Sequence, residues 1–249
     1  MAIKYIFFDC FNTLIDDFDE AGDESGMRPL AHIPVSHGVY DHPDHFHDDY
    51  LAWRRQYWKG GNQDEVLLAD RLTAIFRNHL ERSSREVDVV PVVEEMMKLF
   101  HQVFPTTIRR SALVPKTLAM LHKQVPMAVV SNFFLADYPA YLLNQHNLDH
   151  YFDFVIDSAQ LMIKKPGRSI YLSALEKAKI APDQLSEVLF IGDNLKNDVL
   201  IPLELGMQAW YFDRSGERKV APAPPGIISF KNWMELDQLL RSRLNLLTN

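Results

Sequence analysis

The 249-residue chain is 47% hydrophobic and carries a formal charge of -7, which is enough apolar material for an α/β domain with a sizeable insertion. The negative balance argues against nucleic acid or an anionic membrane as the main partner, while leaving room for a small anionic substrate at a locally positive site. A single cysteine excludes an intrachain disulfide framework and a cysteine-based zinc site; no apolar stretch approaches membrane-spanning length, and with no basic, apolar leader before the first strand the protein is expected to be cytoplasmic.

The first predicted element lies in Lys4-Tyr5-Ile6-Phe7-Phe8-Asp9-Cys10-Phe11-Asn12-Thr13-Leu14. An apolar run bounded by a turn signal reads as a strand buried on both faces. Asp9 then stands at the carboxyl end of a central parallel strand, where open α/β sheets place their ligands. On its own it also reads as a simple turn cap. Cys10 points the opposite way and reads as a small buried residue rather than a nucleophile. Asp16 to Ser25 is acidic and reads as loop. Between residues 29 and 50, Pro29, Pro34 and Pro43 are expected to keep regular elements from settling. Five histidines share that stretch: His32, His37, His42, His45 and His47. They are chemically able to bind a transition metal, but no zinc-type spacing on a defined helix accompanies them, so an exposed loop is expected.

Helical spacing begins at Tyr50 and runs through Trp58, ended by Gly60-Gly61-Asn62. A second helix is predicted over Asp64–Glu81, with Leu67, Leu68, Leu72, Ile75, Phe76 and Leu80 on one face. A third runs from Pro91 to about Val103 and is closed by Pro105. With no strand alternation among them, residues 16–110 read as an all-helical cap. From Ser111 onward, helices over 116–123, 136–145 and 169–179 and a short one before Gly206 alternate with strands over 127–132, 154–157, 188–193 and 207–212. A Pro-rich loop over 221–226 and a leucine-rich terminal helix follow. This alternation predicts a Rossmann-like, doubly wound parallel sheet built from residues 1–15 and 111–249.

Each strand, or the loop after it, offers a polar group at its carboxyl end. These are Asp9, then Ser131-Asn132, then Lys164-Lys165-Pro166, then Asp193 with Asp198 five residues on. Three carboxylates on one rim repel one another, and protonation or a bound cation relieves that repulsion. Lys165 compensates one charge; a hard cation taking oxygens from Asp9 and Asp193 compensates two more, and Mg²⁺ is the natural choice. Taken singly, Ser131-Asn132 reads equally as a helix cap and Lys165 as a solvated loop lysine.

In order, spacing and strand placement, these groups resemble the four motifs of the haloacid dehalogenase (HAD) superfamily: Asp9-Cys10-Phe11-Asn12-Thr13, Ser131-Asn132, Lys165-Pro166, and Gly192-Asp193-Asn194-Leu195-Lys196-Asn197-Asp198. The resemblance implies a hydrolase with a helical cap inserted after the first motif and Asp9 as a nucleophile forming a covalent aspartyl intermediate. Ser131 would hydrogen-bond the substrate oxyanion, and Lys165 would hold Asp9 and the transferring group. Phe11, Asn12, Thr13 and Asn132 would line the substrate. Asp9, the Phe11 carbonyl, Asp193 and Asp198 would bind Mg²⁺.

Two departures from that pattern set the expected reaction. Most phosphatases of the superfamily carry an acid two residues after the nucleophile, a group worth about 10² to 10⁴ in rate; here that position is Phe11. An aromatic there resembles the dehalogenase branch, which releases halide and needs no proton. Trp53-Arg54-Arg55-Gln56-Tyr57 is similar to a cap helix of that branch in which an arginine, here Arg54, receives halide and carboxylate; an amphipathic helix with solvated arginines has the same pattern. Gly192-Asp193 points the other way, because the metal-free dehalogenases lack it. Asn12 replaces the usual turn glycine, a mild change since Asn tolerates left-handed angles. The reading is a Mg²⁺-dependent phosphatase on a small phosphorylated metabolite. The alternatives are a metal-independent 2-haloacid dehalogenase-type hydrolase, or a weakly active domain that binds phosphoryl groups or a partner.

Overall fold

The run Tyr5-Ile6-Phe7-Phe8 forms β1 with every side chain buried, as a strand between two helical layers requires. In the computed structural model, which describes residues 3–17, 27–217 and 220–243, the main sheet adds β4 (Met127–Ser131), β5 (Val155–Asp157), β6 (Val188–Gly192), β7 (Gln208–Phe212) and β8 (Ser229–Phe230). The short strands β2 (Asp16–Asp17) and β3 (Ile108–Arg109) lie outside it. The strand order is β5-β4-β1-β6-β7-β8, and every pair is parallel. The chain builds outward from β1 through β4 and β5, then returns to lay β6 on the other side of β1. The carboxyl ends of β1 and β6 therefore flank the point where strand order reverses, the usual ligand crevice of such sheets.

Side-chain alternation assigns β1 to both layers. Tyr5 and Phe7 join Val130 and Phe190 against Ile170, Tyr171 and Ala174 of α8 (Arg168–Lys177). Phe8 faces the other way, onto Phe152 and onto Trp233 of α10 (Trp233–Arg243). Between the strands run α5 (Leu113–His122), α6 (Tyr138–Gln145), the single turn α7 (Ser158–Leu161), a π-helical turn over Leu195–Leu200 and the single turn α9 (Ile201–Glu204). The chain divides into two compact units, one of Met1–Asp16 with Arg110–Asn249 and the other of Asp17–Arg109.

The second unit contains the one-turn α1 (Ile33–Ser36), α2 (Pro43–Lys59), α3 (Leu68–Ser83) and α4 (Val89–Thr107). Phe46, Tyr50, Leu72, Phe76, Met96 and Phe100 are fully buried there. The prolines expected to break structure instead begin it. Pro29 and Pro34 sit in the first turns of a 3₁₀ turn and of α1, and Pro43 opens α2 with His42 as its cap. Proline's fixed φ suits a first turn, where no N–H partner is required. Pro105, expected to close the third helix, lies inside its last turn, and α4 continues to Thr107. The hydroxyls of Thr106 and Thr107 donate to the Val103 and Phe104 carbonyls at 2.7 and 2.8 Å. The stretch expected as loop after Leu14 begins with β2, and residues 18–26 lie outside the described residues.

The histidines also separate. His32 lies by the Pro29 carbonyl, His37 pairs with Glu95 at 2.7 Å, His42 caps α2, and His47 is buried. Among the described residues they form no metal-binding group. The strand β8 leaves no mark in the sequence, since two residues are too few for periodicity to register. Among the described residues no helix is long and apolar enough to cross a membrane.

The predicted start of the second helix at Asp64 moves to Leu68 because Arg71 holds the preceding segment extended. Arg71 Nε donates to the Val66 carbonyl and Nη2 to Glu65 Oε1, both at 2.7 Å. Its guanidinium lies 5.3 Å from the Trp53 ring centroid and 5.0 Å from that of Tyr57. Both ionic side chains are about 3% exposed or less, so removing one strands the other in an apolar interior. Arg71→Met is expected to lower stability by about 3–5 kcal/mol in chemical denaturation; a loss under about 1 kcal/mol would mean that the pair behaves like a solvated one.

Candidate active site

Asp9 extends the β1 ladder by one bond, its N–H donating to the Ile191 carbonyl at 2.9 Å. The strand end thus fixes its carboxyl group over the switch point. Lys165 arrives from the loop between α7 and α8. Its Nζ donates to Asp9 Oδ1 at 2.7 Å, to Asp198 Oδ1 at 2.7 Å and to the Val130 carbonyl at 2.8 Å, so all three ammonium hydrogens are used. Burial acts to strip its proton, but the charges of Asp198 and Asp9 outweigh it and hold the pKa above the usual lysine range. The Lys165 backbone is held as firmly. Asn132 Nδ2 donates to its carbonyl at 2.8 Å, and its N–H donates to Asn132 Oδ1 at 2.7 Å. Asn132, expected to line the substrate, thus spends its side chain on the lysine.

Asp198 sits in the π-helical turn and is fully buried. Its Oδ2 accepts the Asn194 N–H at 2.9 Å, and its own N–H donates to the Asn194 carbonyl at 2.7 Å. Burial pushes its carboxyl pKa up to about 6, with Lys165 pulling down and Asp9 adding to the rise. Gly192 is what admits this carboxylate: a Cβ there would lie 2.4 Å from Asp198 Cγ. Tyr171 braces the same turn from α8, its hydroxyl donating to the Asn197 carbonyl. Asp193, at the end of β6, is half-buried, and one carboxylate oxygen from each of Asp9, Asp193 and Asp198 lies within 4.8 Å of the other two.

Around this cluster the remaining predicted residues take distinct places. Ser131 pairs in register with Asp157, and its Oγ is buried without a hydrogen bond among the described residues. The Asn12 backbone has φ +62, the left-handed geometry that Asn tolerates in place of glycine. The Thr13 hydroxyl approaches Asp9 Oδ2 at 3.4 Å. Phe11 stacks on Phe133, with ring centroids 4.6 Å apart and planes at 18°. Cys10 is fully buried, and burial followed by the Asp9 charge pushes its thiol pKa up. Arg54 lies on α2, in the helical unit.

An aspartate at the end of β1, a Ser-Asn pair at the end of β4, a bridging lysine and a Gly-Asp pair at the end of β6 thus share one sheet rim. Residues 3–204 match the haloacid dehalogenase-like hydrolase family. The chain belongs to this family. This HAD-like hydrolase is 29% identical over 207 residues to a phosphoglycolate phosphatase of Photobacterium profundum, covering 80% of this chain and 78% of that one. It is 33% identical over 99 residues to the pyrimidine 5'-nucleotidase YjjG of Escherichia coli, covering 39% and 42%. Among solved structures it resembles a 2-haloacid dehalogenase of Pseudomonas syringae pv. Tomato with a TM-score of 0.71 and 20% identity, covering 96% of this chain and 99% of that one. The HAD-like core with its helical insertion is thereby shown.

Two supporting residues fall outside the motifs that the sequence displays. Ser158 Oγ accepts the Phe133 N–H at 2.9 Å and donates to the Phe133 carbonyl at 3.1 Å. Asp157 accepts the N–H groups of Asp137 and Gln160 at 2.8 and 2.9 Å. Together they tie down the loop that carries Asn132 and Phe133. An Asp-Ser pair ending a predicted strand is the available signal.

The close approach at Gly192 yields a direct test. Gly192→Ala forces its methyl into the Asp198 carboxylate, and the expected loss is about 1–3 kcal/mol of stability in chemical denaturation. An unchanged midpoint would show that Asp198 can withdraw without cost.

Proposed function

We propose that this HAD-like hydrolase is a Mg²⁺-dependent phosphatase acting on a small phosphorylated metabolite, with Asp9 as its nucleophile. The carrying observation is the carboxylate cluster at the rim: Asp9, Asp193 and Asp198 each bring an oxygen within 4.8 Å of the others, with the Lys165 ammonium bonded to Asp9 and Asp198. Three oxygen donors gathered at one point are the kind of set that a hard divalent cation takes. Asp9, Asp193 and the main-chain carbonyl of Phe11 would hold Mg²⁺. Asp198 contributes its charge, while its oxygens already serve Lys165 and Asn194. Bound Mg²⁺ would neutralise the carboxylates and draw charge from the phosphoryl oxygens.

The chain's own groups divide the remaining work. Lys165 occupies Asp9 Oδ1, which leaves Oδ2, beside the Thr13 hydroxyl, as the oxygen to attack phosphorus. An Oδ2–P bond forms and the bond from phosphorus to the leaving oxygen breaks. Water then attacks the phosphorus of the aspartyl phosphate, releasing inorganic phosphate and restoring the carboxylate. The buried Ser131 hydroxyl gains its missing partner from a phosphoryl oxygen. Phe11 has no proton to give, so substrates whose leaving oxygen departs as a stable anion are favoured. The relatives named phosphoglycolate phosphatase and pyrimidine 5'-nucleotidase support phosphate monoesters as the substrate class.

The stack of Phe11 on Phe133 favours a second reading, a dehalogenase-type hydrolase of a 2-substituted acid, because halide departs without a proton.

A release panel separates the two. Phosphate release from aryl and acyl phosphates is expected to exceed that from alkyl phosphates by about 10² or more, to stop with EDTA and to vanish in Asp9→Asn. Halide release from 2-haloacids that survives EDTA would replace the phosphatase reading with the dehalogenase one.

A further inference from the structure

The loop after Asp9 is held from outside the span that matches the family. Within the loop, the Leu14 and Ile15 N–H groups donate to the Cys10 carbonyl at 2.9 and 3.2 Å, and the Asn12 N–H donates to the Ile15 carbonyl at 2.6 Å. This closes the turn but leaves the Asn12 and Thr13 carbonyls to find other donors. Both donors come from beyond residue 204. Arg214 Nη1 donates to the Asn12 carbonyl at 3.1 Å and pairs with the Asp16 carboxylate. Trp233 Nε1 donates to the Thr13 carbonyl at 3.0 Å in a buried bond.

Trp233 also reaches the other flank of the nucleophile. Its indole stacks on Phe8, the residue before Asp9, with centroids 6.4 Å apart and planes at 17°. One side chain thus braces Asp9 from both neighbours: through the Phe8 ring, and through Thr13, whose hydroxyl meets Asp9 Oδ2. Arg214 is itself anchored. Nε and Nη2 bond Glu217 at 3.0 and 2.7 Å, and the adjacent Asp213 side chain accepts the Ser215 and Ala223 N–H groups, each at 3.0 Å. A guanidinium that is 12% exposed and fixed on three sides is a rigid donor, not a solvated cation.

We infer that Arg214 and Trp233 are positioning residues, a clamp that fixes the nucleophile loop and sets the angle of the Asp9 carboxylate. The inference rests on the reading of Asp9 as the nucleophile. Neither residue touches the reacting atoms; both act through main-chain carbonyls. Displacing a nucleophile by about 1 Å costs on the order of 10²-fold in rate, so a loosened loop is costly even when the carboxylate is present.

Trp233→Phe keeps the aromatic stack and deletes only the indole donor. Hydrogen exchange of the substrate-free protein is expected to speed up about fivefold at the Leu14 and Ile15 amides, the equivalent of one lost hydrogen bond, while β4 amides stay at the wild-type rate. With p-nitrophenyl phosphate, kcat is expected to fall about tenfold at a KM within about twofold. In a Thr13→Val background, where the link to Asp9 is already cut, the same substitution is expected to cost no further kcat. Should Trp233→Phe fail to fold, Arg214→Gln is read at the same amides. Loop exchange at the wild-type rate, or exchange that rises equally in β4, overturns the clamp. The exchange measurement needs no turnover, so an enzyme silent towards phosphate esters would sink the phosphatase reading and leave this one decided.

Discussion

Lys165 carries one positive charge into a rim that holds three carboxylates, and its three hydrogens go to Asp9, Asp198 and the Val130 carbonyl. A buried ammonium is stable only where its partners are fixed, and much of the nearby architecture supplies that fixing. Asn132 holds the lysine backbone from the end of β4. Asn194 and Tyr171 hold the turn that bears Asp198, and Gly192 leaves room for its carboxylate. The order β5-β4-β1-β6-β7-β8 brings these contributors together, because β4 and β6 are the two strands that flank β1.

The same bridge sets the chemistry. By pinning Oδ1 of Asp9 it orients the carboxylate. Asp193 adds a further carboxylate to the same rim from the end of β6. Phe11 draws the opposite boundary: against Phe133 it forms an apolar wall where a proton donor would otherwise stand. A carboxylate oriented by lysine beside two further carboxylates is what the proposed phosphoryl transfer rests on, and the apolar wall is what its preference for leaving groups that depart without help rests on.

Much of this is readable from residue order, for a physical reason. Apolar runs ending in Asp9, Ser131 and Gly192-Asp193 carry both the strand signal and the chemistry, and the parallel alternation dictates that those ends share a rim. What escapes is whatever depends on partners distant in sequence or on the exact turn of a helix. Pro43 reads as a breaker because proline at a helix start and proline within one look alike until the boundary is known. Asn132 looks like a substrate contact, since nothing in the chain announces that the Lys165 backbone absorbs both its polar atoms. Arg214 and Trp233 carry no signal at all; each meets the nucleophile loop across some two hundred residues.

The proposed chemistry requires that Asp9 and Asp193 together hold a divalent cation beside Lys165. Calorimetric titration of Mg²⁺ into the substrate-free protein tests it most directly. A single Mg²⁺ per chain is expected, with affinity weakened by about tenfold or more in Asp193→Asn, since affinity follows the charge count of the ligands. No binding, or binding unchanged in that variant, would contradict it.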